Sequence, residues 1–196
     1  MDKIRHPNII SIMAYAKDFS YCYIIMELCN SHKIRKVVFN KNVASRFALS
    51  DLNRYHIAEQ ICIAVAFLHK LEPQIVHKDL KQENILIDNY LTVTLCDLGT
   101  SRFKTMPSSL LTTGGCRPKR TVLYMSPEIL LDNKSDTPAS DVWALGGVIK
   151  ELFTKKLISP SAYEDEIENY LKLKQKPDLA NVPLYLNDIL NRCFNY

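Results

Sequence analysis

Glycine is scarce in this chain and occurs only in its second half. The 196 residues include five glycines, which are Gly99, Gly114, Gly115, Gly146 and Gly147. None of them belongs to a GxGxxG pattern, in which glycines let the backbone approach the phosphate groups of a nucleotide. This sequence therefore contains no glycine-rich loop that could cover a phosphate.

Cysteine pairs with metal-binding or redox spacing are also missing. The six cysteines form no CxxC pair, and no cluster of His and Cys has the spacing of zinc ligands. A single domain of this length can bury roughly 70% of its unfolded surface, so its core needs neither disulfides nor metal. We therefore predict reduced thiols and a cytoplasmic protein, with the nucleus as the alternative location.

Long apolar runs and a dominant charge are absent as well. No run is long enough to span a bilayer, and the first residues lack the apolar core of a signal peptide. The 25 Lys and Arg residues and 21 Asp and Glu residues give a net charge of +4, which is too balanced to predict nucleic-acid binding. We expect neither a membrane nor a nucleic acid as a partner.

The pattern of apolar residues predicts a mixed α and β fold. Apolar runs at 9–16 and 21–28, separated by a polar turn, predict a β-hairpin, and shorter runs at 85–87 and 93–96 predict a second one. Ser50 precedes apolar residues at helical spacing, so it is the predicted N-cap of a helix. The residues of that predicted apolar face are Leu52, Tyr55, Ala58, Cys62, Val65 and Leu68.

The second half of the chain is predicted to be mainly helical. Three further helices are expected from Asp141, Ser161 and Leu184, and prolines separate them. Residues 100–120 are rich in Ser, Thr, Pro and Gly without periodicity, which predicts a mobile loop.

Four polar residues stand in the order and spacing of a phosphoryl-transfer site, namely Asp79, Lys81, Asn84 and Asp97. Two carboxylates and an amide can hold Mg²⁺ against a nucleotide and accept the proton of an attacking hydroxyl. Each short motif alone often marks only a surface turn. Their ordered combination with YMSPE at 124–128 and DVWALG at 141–146 is far more specific.

Residues 75–99 resemble the catalytic and metal-binding loops of eukaryotic protein kinases. The HRDLKxxxN signature stands at 77–84 with lysine at Lys78, and the DFG signature stands at 97–99 with leucine at Leu98. The resemblance implies an α+β protein kinase-like fold of the serine/threonine type. It implies a remnant β-hairpin of the small lobe and the start of the hinge in residues 1–28. A mainly helical large lobe, incomplete at the C-terminus, would then occupy residues 29–196.

The same resemblance assigns roles in catalysis and metal binding. It implies that Asp79 is the catalytic base and that Lys81 neutralises the phosphoryl group during transfer. Asn84 and Asp97 would hold Mg²⁺. Thr121 matches the threonine that ties the substrate-binding loop to the catalytic loop.

The resemblance also implies a nucleotide pocket. Backbone groups of Glu27 and Cys29 would read the adenine edge of ATP, and Met26 would gate the back of the pocket. Leu86 would pack beneath the adenine, although ordinary core packing explains it equally well. Cys96, directly before the metal-binding aspartate, is expected to face the nucleotide.

Three further positions have expected structural roles. His77 is expected to be a packed, hydrogen-bonded core histidine. Asp141 would accept backbone amides of the catalytic loop, with an N-cap role as the alternative. Lys78 can attract a phosphate but cannot bind it in bidentate fashion, so regulation through the candidate sites Thr112 and Thr113 would be weakened.

The implied function is transfer of the γ-phosphoryl group of ATP, with Mg²⁺, to Ser or Thr hydroxyls of a protein substrate. Loss of one preorganised donor typically costs roughly 10² to 10³ in rate. Because the glycine-rich loop and the strand lysine are both missing, we expect weak or no activity from this chain alone. A pseudokinase-like binding scaffold and an incomplete gene-model fragment are the alternatives. A two-stranded remnant is marginal by itself, so a partner that covers it is also expected.

Overall fold

The computed structural model combines two small antiparallel sheets with a helical body, as the α+β prediction requires. It describes residues 4–19, 21–47, 49–98, 122–159 and 163–196. One sheet contains β1 (Ile12–Lys17) and β2 (Cys22–Met26), and the other contains β3 (His32–Lys33), β4 (Ile85–Ile87) and β5 (Val93–Leu95) in that order. Both predicted hairpins are therefore confirmed.

The β1–β2 hairpin leaves the body at a point held by two hydrogen bonds. Glu27 N donates to Ser11 O at 3.0 Å, and Ser11 N donates to the Glu27 side chain at 2.7 Å. Beyond that point the hairpin is exposed on both faces, since Met13 is 72% exposed and Ile25 52%. Alternating residues of a strand point to opposite faces, so neither face of this hairpin is covered.

Residues 8–10 connect the hairpin to the larger sheet. Ile10 N donates to Leu95 O at 2.9 Å, and Leu95 N donates to Asn8 O at 2.8 Å, so this segment lies parallel to β5. The Gln60 side chain accepts hydrogen bonds from the Asn8 amide and from Val93 N, both at 2.9 Å. These contacts attach the N-terminal segment to the sheet and to a helix together.

The helices begin and end as follows. They are α1 (Ile34–Phe39), α2 (Lys41–Ala44), α3 (Asp51–Lys70), α4 (Pro127–Leu130), α5 (Pro138–Thr154), α6 (Glu164–Lys172) and α7 (Leu184–Cys193). Short 3-10 turns occupy Gln82–Asn84 and Val122–Tyr124. Within the described ranges, no helix is both long and apolar enough to cross a membrane.

The predicted start of α3 is confirmed, and its predicted apolar face is partly wrong. The Ser50 side chain accepts a hydrogen bond from Asn53 N at 3.2 Å, which is N-cap geometry. Ala58, Val65 and Leu68 are buried as predicted. Leu52 and Tyr55 are exposed, because burial in α3 begins only at Ile57 and the residues before it extend past the core.

Helix α5 forms the centre of the body and begins three residues before its predicted start. Thr137 and Ser140 form a reciprocal capping box, and Pro138 occupies the first turn. Asp141 is consequently a residue inside the helix, so its alternative reading as an N-cap is wrong. Gly146 lets α7 approach closely, since a Cβ there would lie 2.8 Å from Cβ of Cys193.

The other two predicted helices are confirmed with shifted ends, since they correspond to α6 and α7. The short helices α1 and α2 were not predicted. The expected mobile loop at 100–120 lies outside the described residues.

Candidate active site

The carboxylate of Asp79 is the meeting point of the catalytic loop. Lys81 Nζ lies 2.7 Å from Asp79 Oδ2, and Asn84 Nδ2 donates to the same oxygen at 2.9 Å. The side chains of Asp79 and Lys81 are 15% and 16% exposed, so this ion pair is mostly shielded from water. The described residues place no hydrogen-bond donor on Oδ1 of Asp79, which leaves that oxygen as an acceptor.

Asn84 connects this carboxylate to the segment that carries Asp97. Its side-chain nitrogen also donates to Asp79 O at 2.8 Å, so both amide hydrogens are used and Oδ1 of Asn84 remains as an acceptor. Its backbone oxygen accepts from Cys96 N at 2.9 Å. Asp97 therefore follows directly after a residue that is bonded to Asn84.

Two positions in these loops have left-handed backbone conformations. Lys78 has φ of 71° and Asp97 has φ of 62°. A residue other than glycine costs about 1–3 kcal/mol there and persists only where its surroundings hold it. Leu98, directly after Asp97, is buried, which confirms an apolar anchor at the position where the kinase signature has phenylalanine.

Asp141 holds the backbone before Asp79, as predicted. It is 2% exposed, and its carboxylate accepts from His77 N at 2.7 Å and Lys78 N at 2.9 Å. His69 Nε2, from the last turn of α3, lies 2.8 Å from Oδ2 of Asp141. Three groups from two segments thus converge on one buried carboxylate, which fixes the catalytic loop against α3 and α5.

His77 is a buried structural histidine, as expected. Asp79 N donates to its Nδ1 at 3.4 Å, and its Nε2 lies 3.1 Å from Cys96 O. With Nδ1 as acceptor and Nε2 as donor, the ring is neutral. Burial lowers the pKa of His77, although the Asp141 carboxylate opposes this effect.

The residues predicted to contact adenine lie on one face of the larger sheet. Leu86 on β4 pairs with Thr94 on β5, and the Thr94 side chain lies near the thiol of Cys29. Cys96 follows Thr94 on the same face, and its Sγ donates to Asn84 O at 3.2 Å. Burial, together with the neighbouring Asp97 carboxylate, raises the pKa of Cys96 to about 11.

The other predicted nucleotide residues lie at the end of β2. Met26 pairs with Ile12, and the Glu27 side chain is occupied by the amide of Ser11. Cys29 follows in the chain, and burial raises the pKa of its thiol. Thr121, like the candidate phosphorylation sites at 112 and 113, lies outside the described residues.

The oxygens of Asn84 and Asp97 suit a magnesium ion. Mg²⁺ prefers oxygen ligands and is usually held by one or two carboxylates together with water and substrate phosphates. Among the described residues, no cluster of three or more His, Cys, Asp or Glu side chains could hold a metal without such additional ligands. A magnesium ion held by the oxygens of Asn84 and Asp97 would need water and substrate phosphates as its further ligands.

The family model for the protein kinase domain matches residues 1–196. The chain belongs to the protein kinase family. Its α+β fold is the kinase-like fold expected from the signatures at 77–84 and 97–99.

Several curated kinases are similar to this kinase domain. "Dual specificity protein kinase shkC" of Dictyostelium discoideum is 28% identical over 200 residues, covering 100% of this chain and 38% of that protein. "Calcium-dependent protein kinase 6" of Plasmodium berghei is 32% identical over 202 residues, covering 96% of this chain and 13% of that protein. "Serine/threonine-protein kinase CTR1" of Arabidopsis thaliana is 33% identical over 156 residues, covering 79% and 18%. The chain thus spans about 13 to 38% of the length of these relatives.

Two contacts of the kinase domain were not predicted. His69 lies on Asp141, and its only sequence signal is a histidine in the last turn of a helix that leads to the catalytic loop. Arg35 Nε on α1 lies 3.2 Å from Glu83 Oε1 in the catalytic loop. The second contact had a visible signal, because residues 28–50 contain five Lys and Arg side chains and no Asp or Glu.

Proposed function

We propose that this chain is the catalytic part of an ATP-dependent serine/threonine protein kinase. The observation that carries the proposal is the convergence of Lys81 and Asn84 on one oxygen of Asp79, at 2.7 Å and 2.9 Å. Preference for Ser and Thr over Tyr is supported by Lys81, two residues after the base, and by serine/threonine kinases among the relatives.

Each side chain then has a defined task in the proposed reaction. Asp79 accepts the proton of the substrate hydroxyl on Oδ1, because Oδ2 is occupied by its two neighbours. Lys81 offsets the negative charge that spreads over the phosphoryl oxygens. Asn84, through Oδ1, and Asp97, through its carboxylate, would hold Mg²⁺. When bound, Mg²⁺ supplies charge neutralisation for the phosphates.

We place the adenine of ATP against the exposed side of the larger sheet. Leu86 and Cys96 supply the floor, and backbone groups of Glu27 and Cys29 read the adenine edge. Glu27 N is already bonded to Ser11 O, so its carbonyl oxygen is the group left for this role. Met26 borders the pocket from β2.

Nucleotide binding tests the proposal first. Mg-ATP at about 100 times its dissociation constant should stabilise the fold by roughly 2.7 kcal/mol. For a chain of this size that corresponds to a rise in Tm of about 5 to 11 °C. Asp97→Asn should lose the magnesium-dependent part of the rise, while Asp79→Asn should keep it. Asp188→Asn, which changes an exposed carboxylate on α7, is the matched control.

Phosphoryl transfer is then measured with peptides that differ only in carrying Ser, Thr or Tyr. Asp79→Asn should lower the transfer rate by about 10² to 10⁴. The rate of the isolated chain should be low, because it has no glycine-rich cover over the phosphates. An unchanged Tm with Mg-ATP, or transfer that survives Asp79→Asn, contradicts the proposal.

A non-catalytic binding scaffold is the second candidate. It is favoured by the β1–β2 hairpin, whose apolar side chains are exposed on both faces and require a cover in the assembled protein. Binding of a polypeptide to the hairpin without any response to Mg-ATP would favour the scaffold. A response to Mg-ATP with transfer favours the enzyme.

A further inference from the structure

A positively charged groove lies beside the catalytic loop. It has a volume of about 740 Å³, and we call it the basic groove. Its lining residues are Lys33, Arg35, Lys36, Phe39, Asn40, Lys41, Asn42 and Glu83. Four cationic side chains therefore face a single carboxylate.

The single carboxylate of the basic groove is already neutralised within the chain. Arg35 pairs with Glu83 at 3.2 Å and also lies over the ring of Phe39, with its Cζ 5.3 Å from the ring centroid. No ion pair to Lys33, Lys36 or Lys41 occurs among the residues that the structure describes. The groove thus keeps the charge of three lysines.

The basic groove lies beside the catalytic loop, so a peptide bound in the groove would also lie near that loop. Helix α1 packs on the turn Gln82–Asn84, and Glu83 lies between Lys81 and Asn84 in the chain. Any extended peptide bound along α1 therefore runs next to the residues that surround Asp79. Overall the chain is nearly balanced in charge, so this concentration of positive charge is local.

We infer that the basic groove binds an acidic segment of the protein substrate, next to the hydroxyl that is phosphorylated. This inference rests on the proposed function, and it adds a substrate class to it. Complementary charges across such a surface set specificity and association rate.

Peptide binding without nucleotide tests the inference independently of catalysis. Ten-residue peptides with one Ser flanked by Glu, by Ala or by Lys are labelled with an uncharged dye and titrated by fluorescence anisotropy at low and moderate salt. The Glu peptide should bind most tightly, and its advantage should shrink as salt screens the charges.

Charge reversal identifies the surface. The double variant Lys36→Glu/Lys41→Glu should weaken binding of the Glu peptide by about tenfold or more and strengthen binding of the Lys peptide. Lys36→Arg/Lys41→Arg should keep the original preference. Arg192→Glu makes the same type of charge change on α7, which does not line the groove, and should alter the dissociation constants less than twofold. Circular dichroism confirms that each variant is folded.

The outcomes separate this inference from the proposed function. Binding of the Glu peptide by a chain whose Tm does not respond to Mg-ATP supports the groove and contradicts the enzyme. Transfer with no charge preference, or the same preference in the charge-reversed variant, overturns the groove and leaves the enzyme standing. Tighter binding of the Lys peptide to the unaltered chain overturns it, with Glu83 as the anchor. Equal competition by a single-stranded oligonucleotide also overturns it, because the surface would then bind any polyanion.

Discussion

Replacing Asp141 by asparagine should weaken the attachment of the catalytic loop to helices α3 and α5. The carboxylate accepts from two backbone amides at 2.7 Å and 2.9 Å and contacts His69 at 2.8 Å. An asparagine has one acceptor oxygen and one donor group in the same place. In the better of its two orientations, the asparagine oxygen keeps the contacts of Oδ2 with His77 N and His69 Nε2. Its NH₂ group then faces the N–H of Lys78, and two donors cannot bond each other.

The magnitude follows from what the substitution removes. A hydrogen bond to a charged group contributes about 1.5–3 kcal/mol, and a buried donor left without an acceptor costs about 1–3 kcal/mol. Lys78 also loses the bond that holds its backbone at φ of 71°. We expect Asp141→Asn to lower the free energy of unfolding by about 3 kcal/mol, a large part of the 5–15 kcal/mol typical of a domain.

Urea denaturation at neutral pH measures this loss, and amide hydrogen exchange locates it. The amides of His77 and Lys78 should lose protection in the variant, whereas those in the middle of α3 should change only with global stability. Asp188→Asn, at an exposed carboxylate, should stay within about 0.5 kcal/mol of the unaltered chain. A loss below about 1 kcal/mol with unchanged protection at residues 77 and 78 would refute the reasoning.

Three further outcomes are expected. Burial lowers the pKa of His77. Below pH 6.5, the ordinary pKa of histidine, the unfolded chain therefore takes up a proton at this residue that the folded chain does not. As the pH falls, this difference lowers the free energy of unfolding by up to about 1.4 kcal/mol per pH unit. The stability of His77→Gln relative to the unaltered chain should therefore improve from pH 7 to pH 5.5 in urea titrations, and a constant difference contradicts this. Gly146→Ala should lower the free energy of unfolding by about 1–3 kcal/mol in the same assay, because the new Cβ would lie 2.8 Å from Cβ of Cys193. The better helix propensity of alanine offsets only part of this loss. A gain in stability would show that α7 moves to accommodate the new methyl group. Because the pKa of Cys96 is raised to about 11, its alkylation, measured by mass spectrometry, should be slow at pH 8 and rise steeply toward pH 10. Mg-ATP should reduce the labelling. Equal labelling with and without nucleotide would show that this thiol does not face the nucleotide pocket.

The secondary structure was predictable where local signals agree with tertiary packing. Both hairpins follow from apolar, β-branched runs around polar turns, and Ser50 marked the start of α3 through its side-chain chemistry. The helices α1 and α2 contain only six and four residues, so neither is long enough for a periodic pattern to stand out. The residues of the capping box at Thr137 were visible in the sequence, but the helix start was predicted from the apolar run after Asp141 and was therefore placed three residues too late.

The contact between Asp79 and Asn84 was predictable from the sequence, and its geometry was not. Spacing brought Asp79 and Asn84 together, since both lie in one short loop. Nothing local indicates which oxygen of Asp79 its neighbours occupy, or that Lys78 and Asp97 have positive φ, because these depend on contacts with α5 and the sheet. The pairing of Arg35 with Glu83 joins two elements far apart in the chain, and only the acid-free stretch around α1 hinted at it.

The two hydrogen bonds between Ser11 and Glu27 give the exposed hairpin a mechanical meaning. They clamp the strands at the place where β2 passes into the segment leading to Cys29 and the floor of the proposed nucleotide pocket. A protein bound to the outer end of the hairpin could therefore rotate the hairpin about these two hydrogen bonds. Such a rotation would move the backbone beside the proposed adenine site, while the catalytic loop, which is bound separately to Asp141, stays in place.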